Sequence, residues 1–346
     1  MGIFNFFSGG FGGDGSGGIY VTPDWTPPSI KYKDADEITV PEGLYYPVKH
    51  RVKGQYKGAG SISAAWDLSS PVDVDVDAPG TLIGGKSTGG TGSWYSLFMT
   101  SASTFLVLPF VRVDVISFGS GETTINPAAH DDGTTADNTF VTANDDFNGY
   151  RLMYISFDSD DGTIWEISDT VNSTPDEIKV ASDITSIVSA GDWLQMLPAD
   201  GNYVYLGTIR IDNSGNLRQF TKAGWEYQFQ TRVSINLNKS TTAANTDLAQ
   251  VVPPNAKIYH GGVYAQGGAG SIKIQITFYS GTSGTDDFGS RRLDTDANSS
   301  NSLASNWSQS FVLTAVSLIR NKVFKDIGAG DVAADYGNID SIGWEE

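Results

Sequence analysis

Residues able to do chemistry are few in this chain, and most stand alone. Its three histidines, His50, His130 and His260, are widely separated. His130 precedes Asp131-Asp132, but a serine–histidine–acid triad meets only in space, and no Gly-x-Ser-x-Gly elbow accompanies it. In Val72–Asp77 the residues alternate, so Asp73, Asp75 and Asp77 share one face of a strand at roughly 6–7 Å spacing. A hard cation needs oxygens converging on one point, so this row reads as a solvated acidic face. Asp158–Gly162 starts like a calcium loop, but Thr163 and Asp169 stand where that pattern needs Gly and Glu. Asp161-Gly162 therefore reads as a hairpin turn into Thr163–Ile167. Gly80–Ser87 carries the letters of a phosphate loop. No apolar strand precedes it and no helix-forming run follows, so nothing would present a helix N-terminus to phosphate. Trp193, Tyr203, Tyr205 and Trp225 could form a sugar-stacking surface if exposed; core packing is the competing use. Carboxylate pairs arise by chance among 40 acidic residues, so their number is no sign of a glycosidase. Cysteine is absent, which excludes disulfides and thiolate metal sites. No catalytic, cofactor-binding or metal residue is assigned, and the chain reads as non-enzymatic, with no cofactor.

The elements that position these residues read as short strands and turns. The stretch Gly191–Phe220 sets the pattern: an apolar segment from Trp193, a turn at Pro198–Asn202, a strand Tyr203–Ile211 and a turn at Asp212–Asn216. Asp, Asn and Gly tolerate the positive φ that hairpin turns need. Tyr227–Leu237 and Ile272–Phe278 alternate apolar and polar residues, as half-buried strands do. Trp94–Val115 is the most apolar segment; Leu106–Val115 predicts a buried strand with a break or an edge at Pro109. A further strand is expected at Phe311–Ile319, and a short helix only at Pro175–Val188. The Gly/Ser/Asn/Asp-rich residues 281–306 read as a loop. The fold class is all-β: several antiparallel β-sandwich or jelly-roll-like domains in tandem behind an extended arm.

In order along the chain, residues 1–28 are a Gly/Phe-rich N-terminal arm and residues 29–118 a first β domain. Residues 119–145 are a linker or long loop, residues 146–250 a central β domain and residues 251–346 a C-terminal β domain. The arm sets Ile3, Phe4, Phe6, Phe7 and Phe11 among glycines. Gly-rich backbone cannot fold on so few side chains, and exposed phenylalanines need a receiving surface. These five are the anchoring candidates.

The formal charge of −18 repels phosphate backbones and anionic lipid surfaces, so neither direct nucleic-acid binding nor a membrane partner is expected. No apolar run reaches bilayer-spanning length, and the N-terminal residues lack the features of a signal peptide.

The segment GDWLQMLPADGNYVYLGTIRIDNSGNLRQF resembles stretches of tailed-bacteriophage virion structural proteins. There a Tyr-x-Tyr-Leu-Gly strand (here Tyr203–Gly207) leads to an Asp-x-Ser-Gly-Asn turn (Asp212–Asn216) and an aromatic residue (Phe220). Tyr150–Phe157 upstream fits the same picture, and the resemblance covers mainly residues 146–237. It implies a non-enzymatic tail or head fibre, collar or decoration protein, made in the host cytoplasm and resident in the virion. Such a protein docks through its arm on capsid, neck or tail proteins, projects its β domains outward and forms a homotrimer. The alternatives are a carbohydrate- or receptor-binding module that takes a host-surface glycan and, third, a polysaccharide hydrolase.

Overall fold

The structure, a computed structural model, describes residues 29–45, 50–52, 55–57, 66–85, 92–128, 141–157, 161–237, 244–267, 271–279, 287–294, 303–313, 316, 318–327 and 336–346. The anchoring candidates Ile3, Phe4, Phe6, Phe7 and Phe11 lie outside these, as does His130. Among the described residues there is no helix, and the architecture is all-β.

The N-terminal strands are short: β1 (Lys31–Tyr32), β2 (Glu37–Val40), β3 (Gly43–Tyr45), β4 (His50–Val52), β5 (Gln55–Lys57), β6 (Trp66–Leu68) and β7 (Val72–Asp75). β1, β2 and β7 form one antiparallel sheet, while β3–β6 and β4–β5 are two-stranded ribbons. The alternation read in β7 holds: Val74 is buried and Asp73 is exposed.

The next eight strands are β8 (Ser93–Ser101), β9 (Thr104–Gly119), β10 (Glu122–Pro127), β11 (Arg151–Ile155), β12 (Ile164–Val171), β13 (Glu177–Val180), β14 (Trp193–Leu197) and β15 (Val204–Ile211). They form one sheet, ordered β10-β13-β12-β11-β14-β9-β8-β15, with β10 also paired to β9. That last ladder closes a ring of six strands, β9-β10-β13-β12-β11-β14, into a barrel. The length of β9 makes closure possible: its first half pairs with β8, its centre with β14 and its end with β10. Pro109 sits inside β9 and is buried. It lies where one edge of β9 passes from the Thr81–Ile83 segment, bonded at Val107, to β14, whose pairing begins at Phe110. A missing N–H is tolerated at such a handover.

The structure departs from the sequence reading at three places here. β10 lies within 119–145, read as loop or linker; Thr123 and Ile125 point inward from an otherwise polar strand. In place of the predicted helix stands β13, where Ile178 and Val180 are buried while Glu177 and Lys179 face outward, a period of two rather than 3.6. β14 and β15 do not pair with each other, because β9 and β8 lie between them. The Pro198–Asn202 turn is thus a crossing, whereas Asp212–Asn216 is a hairpin turn closed by the Ile211–Leu217 bridge.

The remaining strands are β16 (Phe220–Ala223), β17 (Glu226–Asn236), β18 (Ala244–Asp247), β19 (Ile258–Gly267), β20 (Ser271–Tyr279), β21 (Asp287–Asp294), β22 (Leu303–Val312), β23 (Leu318–Ile327) and β24 (Tyr336–Glu345). One sheet runs β16-β17-β24-β19-β22 and the other β18-β23-β20-β21. Counted from β17, first pairs with eighth, second with seventh, third with sixth and fourth with fifth. These pairs alternate between the two sheets, which is the jelly-roll order. Phe278 of β20 meets Phe311 of β22 across the sandwich, ring centroids 4.7 Å apart. β21 and the start of β22 occupy the stretch read as a loop, and the single strand expected at Phe311–Ile319 is divided between β22 and β23. The Ser, Asn and Gly content of these segments hid strands whose order is fixed by long-range pairing.

Candidate functional site

Where the barrel sheet meets the jelly roll, the contact is aromatic at one end and polar at the other. Trp94 of β8 meets Trp344 of β24 edge-on at 5.1 Å, and its indole N–H donates to the Ala249 carbonyl at 2.6 Å. Trp344 stacks on Tyr227 of β17 at 4.6 Å. Beside them Tyr205 and Thr208 of β15 face Lys222, Tyr227, Asn255 and Glu346, all buried. The Thr208 N–H is shared between Tyr227 Oη and Glu346 Oε1, each at 3.0 Å. Asn255 Nδ2 donates to Tyr205 Oη at 2.8 Å and to Thr208 Oγ1 at 3.1 Å. Lys222 Nζ donates to the Gly224 carbonyl at 2.8 Å and lies 5.2 Å from the Tyr227 ring centroid.

Burial sets the protonation of this cluster. It pushes the Glu346 carboxyl above the usual carboxylate range and the Tyr205 and Tyr227 hydroxyls well above theirs. It pushes Lys222 down to about 8, against the pull of the Glu346 carboxylate. Gly207 makes the close approach possible: its φ is +141°, and a Cβ there would overlap Tyr227 Oη. With every member enclosed, the cluster fastens the two units together and offers no route to a substrate.

An open cleft of about 490 Å³ lies close by, between the turn after β15, the edge of β17 and Tyr32 of β1. Arg210 and Arg218 both line it. The two are brought opposite each other by the Asp212 hairpin, across which the Arg218 N–H donates to the Arg210 carbonyl at 2.8 Å. Arg210 is 3% exposed and lies 4.9 Å from the Trp94 ring centroid. Arg218 lies 3.7 Å from the Phe229 ring centroid and donates to the Thr231 carbonyl at 3.1 Å. Burial first, and then the neighbouring Arg210 charge, push Arg218 down to about 10. Asp212 also lines the cleft, but its Oδ1 is engaged by the Ser214 and Asn216 N–H groups of the turn.

The sequence candidates fall elsewhere. Trp193, Tyr203 and Tyr205 are buried at 4%, 4% and 1% exposure, so they are core residues and not a sugar platform. Trp225 is half-buried, with Lys222 Nζ 5.6 Å from its ring centroid. Asp73 pairs with Lys33 at 2.8 Å and accepts from Thr39 at 2.6 Å, which holds its carboxyl below the usual range. Asp75 is raised by its hydrogen bond to Asp77. Asp161 accepts the Ser156 N–H, as a hairpin residue does. The His260 ring contacts Ser310 Oγ at 2.9 Å, and His50 lies in β4. Gly80–Gly85 form a turn and a bridge beside β9, with no helix after them among the described residues. Among the described residues no cluster of three His, Asp or Glu side chains could hold a metal.

The sequence reading singled out none of Lys222, Glu346, Arg210 and Arg218. For Lys222 a signal existed: it lies two residues after Phe220, on the inward side of β16.

No protein-family model matches the chain, and no curated protein matches it. Among solved structures it is similar to that of infectious bursal disease virus, Gx strain: 11% identity and TM-score 0.24, over 92% of this chain and 72% of that one. The VP2 subviral particle of infectious bursal disease virus gives 12% identity and TM-score 0.22, over 93% and 73%. The insecticidal delta-endotoxin Cry8Ea1 from Bacillus thuringiensis gives 12% identity and TM-score 0.20, over 86% and 60%. Similarity of this order identifies neither a family nor a function.

Proposed function

We propose that the chain is a non-enzymatic structural subunit of a bacteriophage particle, of fibre, collar or decoration type. The observation that carries this is the jelly-roll strand order of β17–β24, joined through a buried junction to a closed barrel. Jelly rolls serve capsid proteins, lectins and enzymes alike, so the fold is an analogy and not a function. The sequence likeness over residues 146–237 and the Phe-bearing arm favour the particle. In this reading Ile3, Phe4, Phe6, Phe7 and Phe11 dock on a capsid, neck or tail protein, the β domains face outward and the subunit is a homotrimer.

The test is a deletion of residues 2–22 in the phage that encodes the chain. The purified variant should stay folded while the protein disappears from banded particles, and light scattering on the full chain should give the mass of a trimer. Normal incorporation of the deletion would sink the docking role. A second reading, a carbohydrate- or receptor-binding module, is favoured by the arginine-lined cleft.

A further inference from the structure

We propose that the cleft between β15, β17 and β1 is a binding site for a carboxylated sugar, of the uronic- or sialic-acid type. This rests on the second reading above and is independent of any role in a particle.

The argument begins with charge. A chain of net −18 brings two guanidiniums to one concavity. The cleft's one carboxylate, Asp212, is partly committed to its own turn. In a chain of this net charge, two guanidiniums in one concavity favour an anionic group there. Arg210 is a built feature: it is 3% exposed and held between the Trp94 ring and the Ala249 carbonyl. Arg218 is held by the Phe229 face on one side and the Thr231 carbonyl on the other, so its planar fork is fixed before a ligand arrives. A preorganised guanidinium in a partly desolvated cleft is suited to a carboxylate, which it can bind with two parallel hydrogen bonds.

Beside the apolar Leu217 and Val233, the lining carries partners for a polyol. Asn213, Gln219 and Gln250 bring amides that both donate and accept, and Tyr32 brings an aromatic ring at the β1 edge. Hydroxyls need such two-way partners. At about 490 Å³ the cleft falls within the size range of small-ligand pockets and is open to solvent, as the terminal residue of a longer glycan requires.

The experiment is titration calorimetry of the full chain with N-acetylneuraminic acid and glucuronic acid, against glucose and inorganic phosphate. At least one acid should bind in the millimolar range or better, with affinity falling as salt is raised. Glucose should not bind, and phosphate should bind at least tenfold more weakly than the acid. Arg218→Gln should weaken the acid roughly tenfold or more. Asn213→Ala, on the exposed turn, tests the same site with little risk to the fold and should weaken the acid severalfold. Circular dichroism establishes that each variant is folded. The proposal is overturned if neither acid binds, if phosphate or glucose binds as well as the acids, or if folded Arg218→Gln and Asn213→Ala both bind unchanged. Terminal and free acid are told apart by an array of sialylated and uronated glycans, where binding to the free acid alone rejects a glycan receptor. None of these outcomes alters particle incorporation of the arm deletion, so the two readings fail separately.

Discussion

At the residue scale, the buried ionisable groups at the junction give the protein a pH dependence whose sign can be worked out. Lys222 falls from 10.5 to about 8 in the folded state. Between those values the unfolded chain holds the proton that the folded chain has released, so stability rises with pH across that window. Below it the buried ammonium costs on the order of 3 kcal/mol. Glu346 acts in the opposite sense: the folded state keeps its proton longer, so stability is lost as pH rises from 4.5 through its folded value. In chemical denaturation, Lys222→Met should remove the gain between about pH 8 and pH 9.5. Glu346→Gln, which keeps an acceptor for the Thr208 N–H, should remove the loss of stability that sets in as pH rises from 4.5. The tyrosines oppose the lysine only above about pH 10, outside the window tested. Parallel pH profiles for wild type and Lys222→Met would falsify the assignment. A lysine in register with Phe220 was a legible hint of such a group, because a period-two strand leaves it nowhere else to point. Glu346 gave less: it alternates with Trp344, but a charged residue after a strand reads as solvated until its neighbours are known.

At the scale of the element, what could be read and what could not divide on where the pairing information lies. β12, β15 and β17 carry alternation or continuous apolar character in their own residues, and the turns at Asp161-Gly162 and Asp212–Asn216 carry their own chemistry. Partner choice does not. The turn at Pro198–Asn202 reverses the chain, yet β14 goes to β11 and β9 while β15 goes to β8. β10 is the sharpest case, since Glu122–Pro127 has only Thr123 and Ile125 to bury before the proline. It is held by something composition does not reveal: Thr123 Oγ1 donates to the Ser182 carbonyl at 2.6 Å and accepts the Ile184 N–H at 3.2 Å. Thr123→Val keeps the shape but takes both partners away and leaves the buried Ile184 N–H without an acceptor, at a cost of about 1–3 kcal/mol. Urea denaturation should show that loss, and the Ile184 amide should exchange hydrogen markedly faster. An unchanged Ile184 exchange rate would mean that β10 is held by its ladders alone.

At the scale of the whole molecule, barrel, N-terminal sheet and jelly roll share one contiguous set of buried side chains, from Ile30 through Trp94 and Tyr205 to Trp344. A chain of 346 residues lies above the size at which single cores usually divide into domains, so a continuous core here is a consequence of the junction. The Trp94–Trp344 contact and the Tyr205–Thr208–Asn255–Glu346 cluster make each unit part of the other's interior. Opening the junction would expose Trp344 and Tyr227 and leave Glu346 and Lys222 without their surroundings, so partial unfolding gains little entropy for a large loss of burial. Differential scanning calorimetry should therefore show a single transition, with calorimetric and van 't Hoff enthalpies nearly equal for the cooperative unit. Gly207→Ala attacks the coupling directly, because the new methyl would overlap Tyr227 Oη and crowd Lys222 Cε at a backbone φ of +141°. It should cost on the order of 2–4 kcal/mol and separate the transition in two, the barrel and the jelly roll then melting at their own temperatures. Two transitions in the unmodified protein would show that the junction is a contact and not a coupling. A single transition that merely shifts down in Gly207→Ala would place the coupling in the Trp94–Trp344 contact, since that part of the junction is untouched by the new methyl.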